Sequence, residues 1–472
     1  MAPVENVRMC RSCGYIDAAD SRGRCHKCGL FSELAVVPRT QAEQLTRQRR
    51  HRAWRRRLLR LAVALALVGG VTAWALGAFF DLGPSPPRAT TDVSASLGPH
   101  TWGQVRRTPE SSGFTPDAAP FPHHVTWTYR TSQPLLAAPA VVEDHVYLTT
   151  GDGRTVALER HTGQLVWEYR SGWLSGSTPA VAGDMVIFAT RPGSVVALHR
   201  QSGARRWETH LKSPIVASPI VAHGTVYIGA ADKTLYALDA STGRQRWAFA
   251  TQAWIVSAVA YADGRVIVTS QDSRLYVVGA ETGRQRLLYE TGLGRHIGAG
   301  PAIHGDRAYF VSVGASVWAI DWHTTTYPLE RALLFWQTNL YLWGMRSKPP
   351  IQKGSVWLRR VGGDVRHTPA VAHNMVYVVT ARGQVVALEA ATGAERWRTN
   401  LQIAITAAPT VAGTAVLIGT QDGVVFGLEA HTGAVLWDFK THGKITASPI
   451  VAGDTMYVAS HDGTLYAVSR VQ

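Results

Sequence analysis

From residue 127 onward, short apolar runs alternate with turns rich in Gly, Asp, Ser and Thr, and the pattern returns about every 40 residues. The copy from 218 to 249 shows it best. Ser218-Pro219-Ile220-Val221-Ala222, Val226-Tyr227-Ile228-Gly229, Leu235-Tyr236-Ala237-Leu238-Asp239 and Arg246-Trp247-Ala248-Phe249 read as four strands. His223-Gly224, Ala231-Asp232-Lys233 and Ser241-Thr242-Gly243 turn between them, and no helical period intervenes. Asp152-Gly153, Asp422-Gly423 and Asp462-Gly463 repeat the second turn as hairpin signals. One such unit cannot bury its apolar faces alone, so the copies must stack. Four antiparallel strands in about 40 residues describe the blade of an all-β propeller.

The count is eight. First strands centre on Pro139, Pro179, Pro219, Val259, Pro301, Pro369, Pro409 and Pro449. Fourth strands centre on Trp127, Trp167, Trp207, Trp247, Leu287, Trp357, Trp397 and Trp437. The chain opens with a fourth strand and closes with a first-to-third set. The two ends are therefore predicted to complete one blade and close the ring, which removes exposed sheet edges. The repeated Trp is a flat apolar plate with one N–H donor, suited to packing between blades. Cofactor stacking by one of them is the alternative.

The period fails in one region. Pro301 to Pro369 spans 68 residues. Trp357 has the regular spacing to Pro369, while Trp336 matches the local sequence around Trp397. Spacing favours Trp357 and leaves 322–353 as an insert between the third and fourth strands, with a short helix expected over Leu329 to Met345. Its aromatic residues, Trp322, Tyr327, Phe335, Trp336, Tyr341 and Trp343, either pack as a satellite core or dock a partner or the membrane surface. The preceding blade is also degenerate, with Leu287 for Trp. Arg130, Arg170, His210, Arg360 and Lys440, three residues past their Trp positions, form a candidate basic rim.

The run Ala237-Leu238-Asp239-Ala240-Ser241-Thr242-Gly243-Arg244-Gln245-Arg246-Trp247 resembles the tryptophan-docking motif of the pyrroloquinoline-quinone-like (PQQ-like) repeat family. Trp102, Arg106 and Ser112-Gly113 resemble that family's lead-in, so the likeness covers roughly 100–470. The family includes quinone-dependent alcohol and sugar dehydrogenases and non-catalytic scaffolds such as the lipoprotein propeller of outer-membrane assembly. The dehydrogenase branch implies a calcium-bound quinone over the funnel, a catalytic Asp and often a disulfide between adjacent cysteines. The propeller sequence has no Cys and no segment matching the metal or catalytic Asp motif. The resemblance therefore points to the non-catalytic branch, without PQQ and without catalytic residues.

The first hundred residues are organised differently. Cys10-x2-Cys13 and Cys25-x2-Cys28, each followed by Gly, suit four thiolates on one structural zinc, with two disulfides or redox pairs as the alternative. Residues 1–38 thus resemble a zinc ribbon that needs its metal to fold. A basic segment, 39–60, carries eight Arg from Arg47 to Arg60. Leu61 to Phe80 then holds twenty uncharged residues, enough to cross a bilayer. Basic residues on its N-terminal side predict a cytoplasmic N-terminus and an exported propeller, periplasmic or extracellular. Arg47 to Arg60 are also placed to meet anionic lipid head groups. Residues 81–99, with four Pro, read as an extended tether, and 100–472 as the propeller.

Charge follows this partition. Residues 1–60 hold 14 Lys+Arg and 5 Asp+Glu, and the rest hold 34 and 28, giving +9 and +6 of the total +15. The basicity thus belongs mainly to the N-terminal part and does not mark the propeller as a nucleic-acid binder. The sequence reads as a single-pass membrane protein whose exported ring binds other proteins. A PQQ-dependent alcohol or sugar oxidoreductase is the alternative, and a transmembrane ligand sensor a further one.

Overall fold

The structure is a computed structural model. It describes residues 6–11, 15–16, 25, 34–80, 86–96, 98–121, 123–292, 296–327 and 329–471, without the side chains of 34, 49–51, 53, 71–80 and 331. The chain divides into two compact units, Met1–Gly83 and Pro84–Gln472.

In the first unit, β1 (Asn6–Cys10) pairs antiparallel with β2 (Leu34–Pro38). This hairpin packs Val7 and Met9 on Ala42 and Leu45. Those two residues belong to the first turns of α1 (Arg39–Phe80), a 42-residue helix about 63 Å long at 1.5 Å per residue. The basic segment and the expected membrane span at 61–80 are therefore parts of one continuous helix. Among the described residues, no helix is long and apolar enough to cross a membrane.

The second unit is a ring of eight four-stranded antiparallel blades, and in blade 7 the short strand Phe114–Thr115 adds a fifth, parallel strand at the inner edge. In blade 1 the strands are Ala140–Val142, His145–Thr149, Arg154–Glu159 and Leu165–Arg170. Blade 8 is completed as expected: His123–Arg130 pairs with Thr464–Arg470, Ala467 opposite Trp127. In every blade the pairing of third and fourth strands shifts by one residue just before the Trp position, for example between Ala237 and Leu238. This β-bulge turns the Trp towards the next blade.

What the Trp meets there explains the docking motif. Trp207 Nε1–H donates to Ala240 O at 2.9 Å, and its ring covers Gly243 in the Thr-Gly turn. A Cβ on Gly243 would lie 2.5 Å from Trp207 Cε3, and its φ of 71° itself favours glycine. The same bond, always to the residue 33 further on, joins Trp127 to Arg160, Trp167 to Arg200, Trp247 to Ala280, Trp357 to Ala390 and Trp397 to Ala430. Blade 8 has no Thr-Gly turn, and Trp437 instead stacks on Phe121 and meets the edge of His123. Beneath the plates lie second-strand tyrosines: Tyr147, Tyr227, Tyr309, Tyr377 and Tyr457 pack on Trp167, Trp247, Trp357, Trp397 and Trp127.

Trp357 is the fourth-strand Trp of blade 5, opposite Ala319. The insert is pinched off where Asp321 N–H donates to Gly354 O at 2.7 Å, the counterpart of Glu159 N–H to Gln164 O in a regular turn. It contains α2 (Glu330–Leu342).

The segment read as a tether is docked over its described part. Ala95 bridges to Ala182 of blade 2, and Gly224 N–H donates to Val93 O at 2.6 Å. Thr90 N–H donates to Asp239 Oδ2 at 2.7 Å, and Arg246 Nε to Pro87 O at 2.9 Å. Burial raises the Asp239 pKa, but donors from Thr90, Ser241 and Thr242 outweigh it and hold the group down to about 2.

Candidate functional site

The inner strand of each blade is a sheet edge facing the central channel, so its outward N–H needs a partner. Residues 102–117 supply one to each blade in order. Val141 N–H donates to Trp102 O, Val181 to Gly103 O, Val221 to the Gln104 side chain, Tyr261 to Pro109 O and Ile303 to Glu110 O. Val371 donates to Ser112 O, Val411 to Gly113 O, and Gly453, in the first turn of blade 8, to Asp117 Oδ2. The lead-in makes one circuit of the channel and plugs it.

Arg106 forms the floor of what remains. Its guanidinium donates to Pro409 O at 2.6 Å and Pro369 O at 2.8 Å, carbonyls of the repeated first-strand prolines. Gly113 leaves room for it: a Cβ there would run into the guanidinium. Burial lowers the Arg106 pKa to about 9, so it stays charged at neutral pH. His367 lies near it. Burial first, then the charges of Arg106 and Arg366, push this imidazole down to about 4 and keep it neutral.

Above the plug, a pocket of about 160 Å³ is lined by Trp102, Arg106, Thr178, Ser218, Thr446 and Ser448 among others. Its lining contains hydroxyls, apolar groups and one guanidinium, but no carboxylate. This donor set does not fit a calcium-held quinone, because calcium takes several oxygen ligands, usually including carboxylates, and the fixed charge of Arg106 opposes a cation.

The ring's two faces differ in their exposed chemistry. Turns after the first and third strands lie on the face that carries the plug and docked segment. Loops leading from one blade's fourth strand to the next blade's first lie on the opposite face, as antiparallel strand order requires. On that opposite face Trp173 and Trp254 are 59% and 54% exposed, and Leu174 and Val216 of the same set of loops are exposed as well. These tryptophans stand outside the docking register, and that departure is the sequence signal by which they can be found.

The insert residues separate into two groups. Trp322 is fully buried in the core between blades 4 and 5 and donates to Gly305 O at 3.1 Å. It fills space as a structural plate, so it leaves the expected docking set. Tyr327, Phe335, Trp336, Tyr341 and Trp343 are all exposed, with Lys353 Nζ 3.6 Å from the Tyr327 ring centroid. The basic rim is partly tied down within the ring. Arg170 pairs with Glu168, His210 meets Ser194 Oγ, and Lys440 donates to Asp422 O.

Of the expected zinc ligands, Cys10 and Cys25 are buried, while Cys13 and Cys28 lie outside the described residues. Cys10 N–H donates to Tyr15 O at 2.9 Å. Among the described residues no group of three or more His, Cys, Asp or Glu comes together.

Fold and site define an eight-bladed repeat propeller with a plugged channel. The family profile described as outer membrane protein assembly factor BamB matches residues 122–221 and 334–471, half of the chain. The chain belongs to this family of PQQ-like repeat propellers. A second profile, the β-propeller domain of glucose/ethanol/alcohol dehydrogenases, matches 209–308. Among solved structures, BamB from Moraxella catarrhalis is 20% identical, covers 74% of this chain and 97% of its own, with a TM-score of 0.60. The quinohemoprotein alcohol dehydrogenase of Comamonas testosteroni is 13% identical over 79% of this chain and 81% of its own, TM-score 0.63. The designed protein Ika8 is 19% identical over 76% and 100%, TM-score 0.57. These structures share the fold. No curated protein sequence matches the chain.

Proposed function

We propose that the ring is a protein-binding scaffold, held at a membrane by the apolar part of α1, with a structural zinc ribbon on the cytoplasmic side. The observation that supports it best is the contrast between the ring's two kinds of surface. The channel is filled by backbone pairing, and its pocket offers no acid–base or metal-ligand constellation. The open face instead presents Trp173 and Trp254 with apolar neighbours, the residue types that dominate protein interfaces. The BamB family match is consistent with a partner of this kind, taken on the exported side. Copurification of the full chain with its partner should be lost in the double variant Trp173→Ala/Trp254→Ala, with ring stability unchanged. Undiminished recovery would contradict the reading.

The uncharged run Leu61 to Phe80 lies in a continuous helix, with eight Arg upstream. By the positive-inside rule this pattern supports a cytoplasmic N-terminus, with the Arg run available to anionic lipid. For the ribbon, metal analysis of the purified chain should give one zinc per molecule, lost in Cys10→Ser. Two disulfides, detected as thiols released by reduction, would contradict it. The match of the dehydrogenase profile over 209–308 favours a second reading, a quinone-dependent oxidoreductase. Quinone absorbance on adding PQQ and calcium, with oxidation of an alcohol or sugar, would establish that reading over the scaffold.

A further inference from the structure

We propose that the insert is a lipid-contacting element: α2 lies in the interface of an anionic bilayer. The inference rests on the membrane-anchored reading of residues 61–80.

Two independent observations meet on blade 4. The first is how the insert is held. Thr326 N–H donates to Arg286 O at 2.8 Å, Leu288 N–H to Thr326 Oγ1 at 3.0 Å, and Glu290 N–H to Gln352 Oε1 at 3.2 Å. These are the outward groups of blade 4's edge strand, Gln285–Glu290. The insert is clipped to that edge by its two stems. The helix between them keeps its apolar surface in solvent: Leu333, Phe335, Trp336, Leu342, Trp343 and Met345 are each more than half exposed. No charge occurs from Ala332 to Met345, and exposed Arg346 and Lys348 follow at once. Across 322–353 there are four basic residues and one acidic. A 13-residue helix extends about 20 Å, too short to cross a bilayer of about 30 Å. Its aromatic content and basic flank suit the headgroup boundary instead.

The second observation is where the chain reaches the ring. Pro86 of the docked segment lines a groove with Tyr261 and Glu281 of blade 4. Five residues separate Phe80 from Pro86, six steps of chain that span about 22 Å at most. Gln285, the start of the strand that carries the insert, is four residues past Glu281. The insert is thus clipped to the blade at which the chain meets the ring, and its basic flank complements an anionic surface.

The test uses the full chain reconstituted in vesicles of phosphatidylcholine and phosphatidylglycerol, made with and without brominated acyl chains. Tryptophan emission is compared between the wild type and Trp336→Phe/Trp343→Phe, and an alkaline carbonate wash reports whether α1 is embedded. The proposal expects a chain that survives the wash, with the emission contributed by Trp336 and Trp343 lost in brominated vesicles. A chain that survives the wash with that emission unquenched overturns the lipid contact and leaves the anchor standing. Emission that responds to an added protein but not to bromine does the same, and assigns α2 to a protein partner. A chain removed by the wash overturns the anchor and the lipid contact together.

Discussion

Trp207 and Gly243 hold neighbouring blades together through one plate, one hydrogen bond and one missing Cβ. Each part can be removed separately. Trp207→Phe keeps a plate and leaves Ala240 O without its donor, which should cost about 1–2 kcal/mol. Trp207→Ala also empties the site and should cost about 3–5 kcal/mol. Gly243→Ala combines an unfavourable φ with a clash against the ring, and should fall between them at about 2–3 kcal/mol. Urea unfolding of the three variants checks the order. His367 gives a pH prediction. Its folded pKa of about 4 lies below the unfolded value, so the unfolded chain binds more protons between pH 4 and 6.5. Stability should therefore fall as pH drops through that window, and His367→Asn should flatten the slope there. The guanidinium groups of Arg106 and Arg366 beside it stay charged throughout that range.

At the scale of elements, the plug and the docked segment are where sequence reading was weakest. Strand runs, turn glycines and docking Trp carry local chemistry that periodicity detects, so the blades, their closure and the Trp357 register were legible. The plug pairs mostly through main-chain oxygens of Gly103, Pro109, Glu110, Ser112, Gly113 and Thr115. A backbone carbonyl has no residue signature, so only Trp102, Arg106 and Ser112-Gly113 hinted at it. The Pro-rich segment looked like a tether because its anchor, Asp239, is some 150 residues away. Trp322 was placed in the docking set by its aromatic neighbours, although its N–H is spent inside the core. Two variants test these elements. Arg106→Ala leaves the carbonyls of Pro369 and Pro409 buried without donors and should destabilise the ring by about 2–4 kcal/mol in urea. Asp239→Ala frees Thr90, and trypsin should then cut after Arg88 much faster than in the wild type. Unchanged cleavage would show that Asp239 does not hold the segment down.

For the molecule as a whole, closure and plugging serve the same end. The first and last strands of the ring complete blade 8, and the lead-in pairs with the inner strands of seven blades and with the first turn of the eighth, so the ring is locked at both margins. A body of this kind is rigid, and a rigid surface binds a partner without the cost of ordering loops. The open face carries that surface, while the opposite face carries the plug and the docked segment. The central claim is that the Trp173–Trp254 face is where a protein partner sits. It is tested most directly by placing a photocrosslinking residue at 173, at 254 and, as control, at 244 on the opposite face of the full chain in intact cells. The account predicts a discrete protein adduct from 173 and 254 and none from 244. Equal adducts from all three positions, or none from 173 and 254, would contradict it.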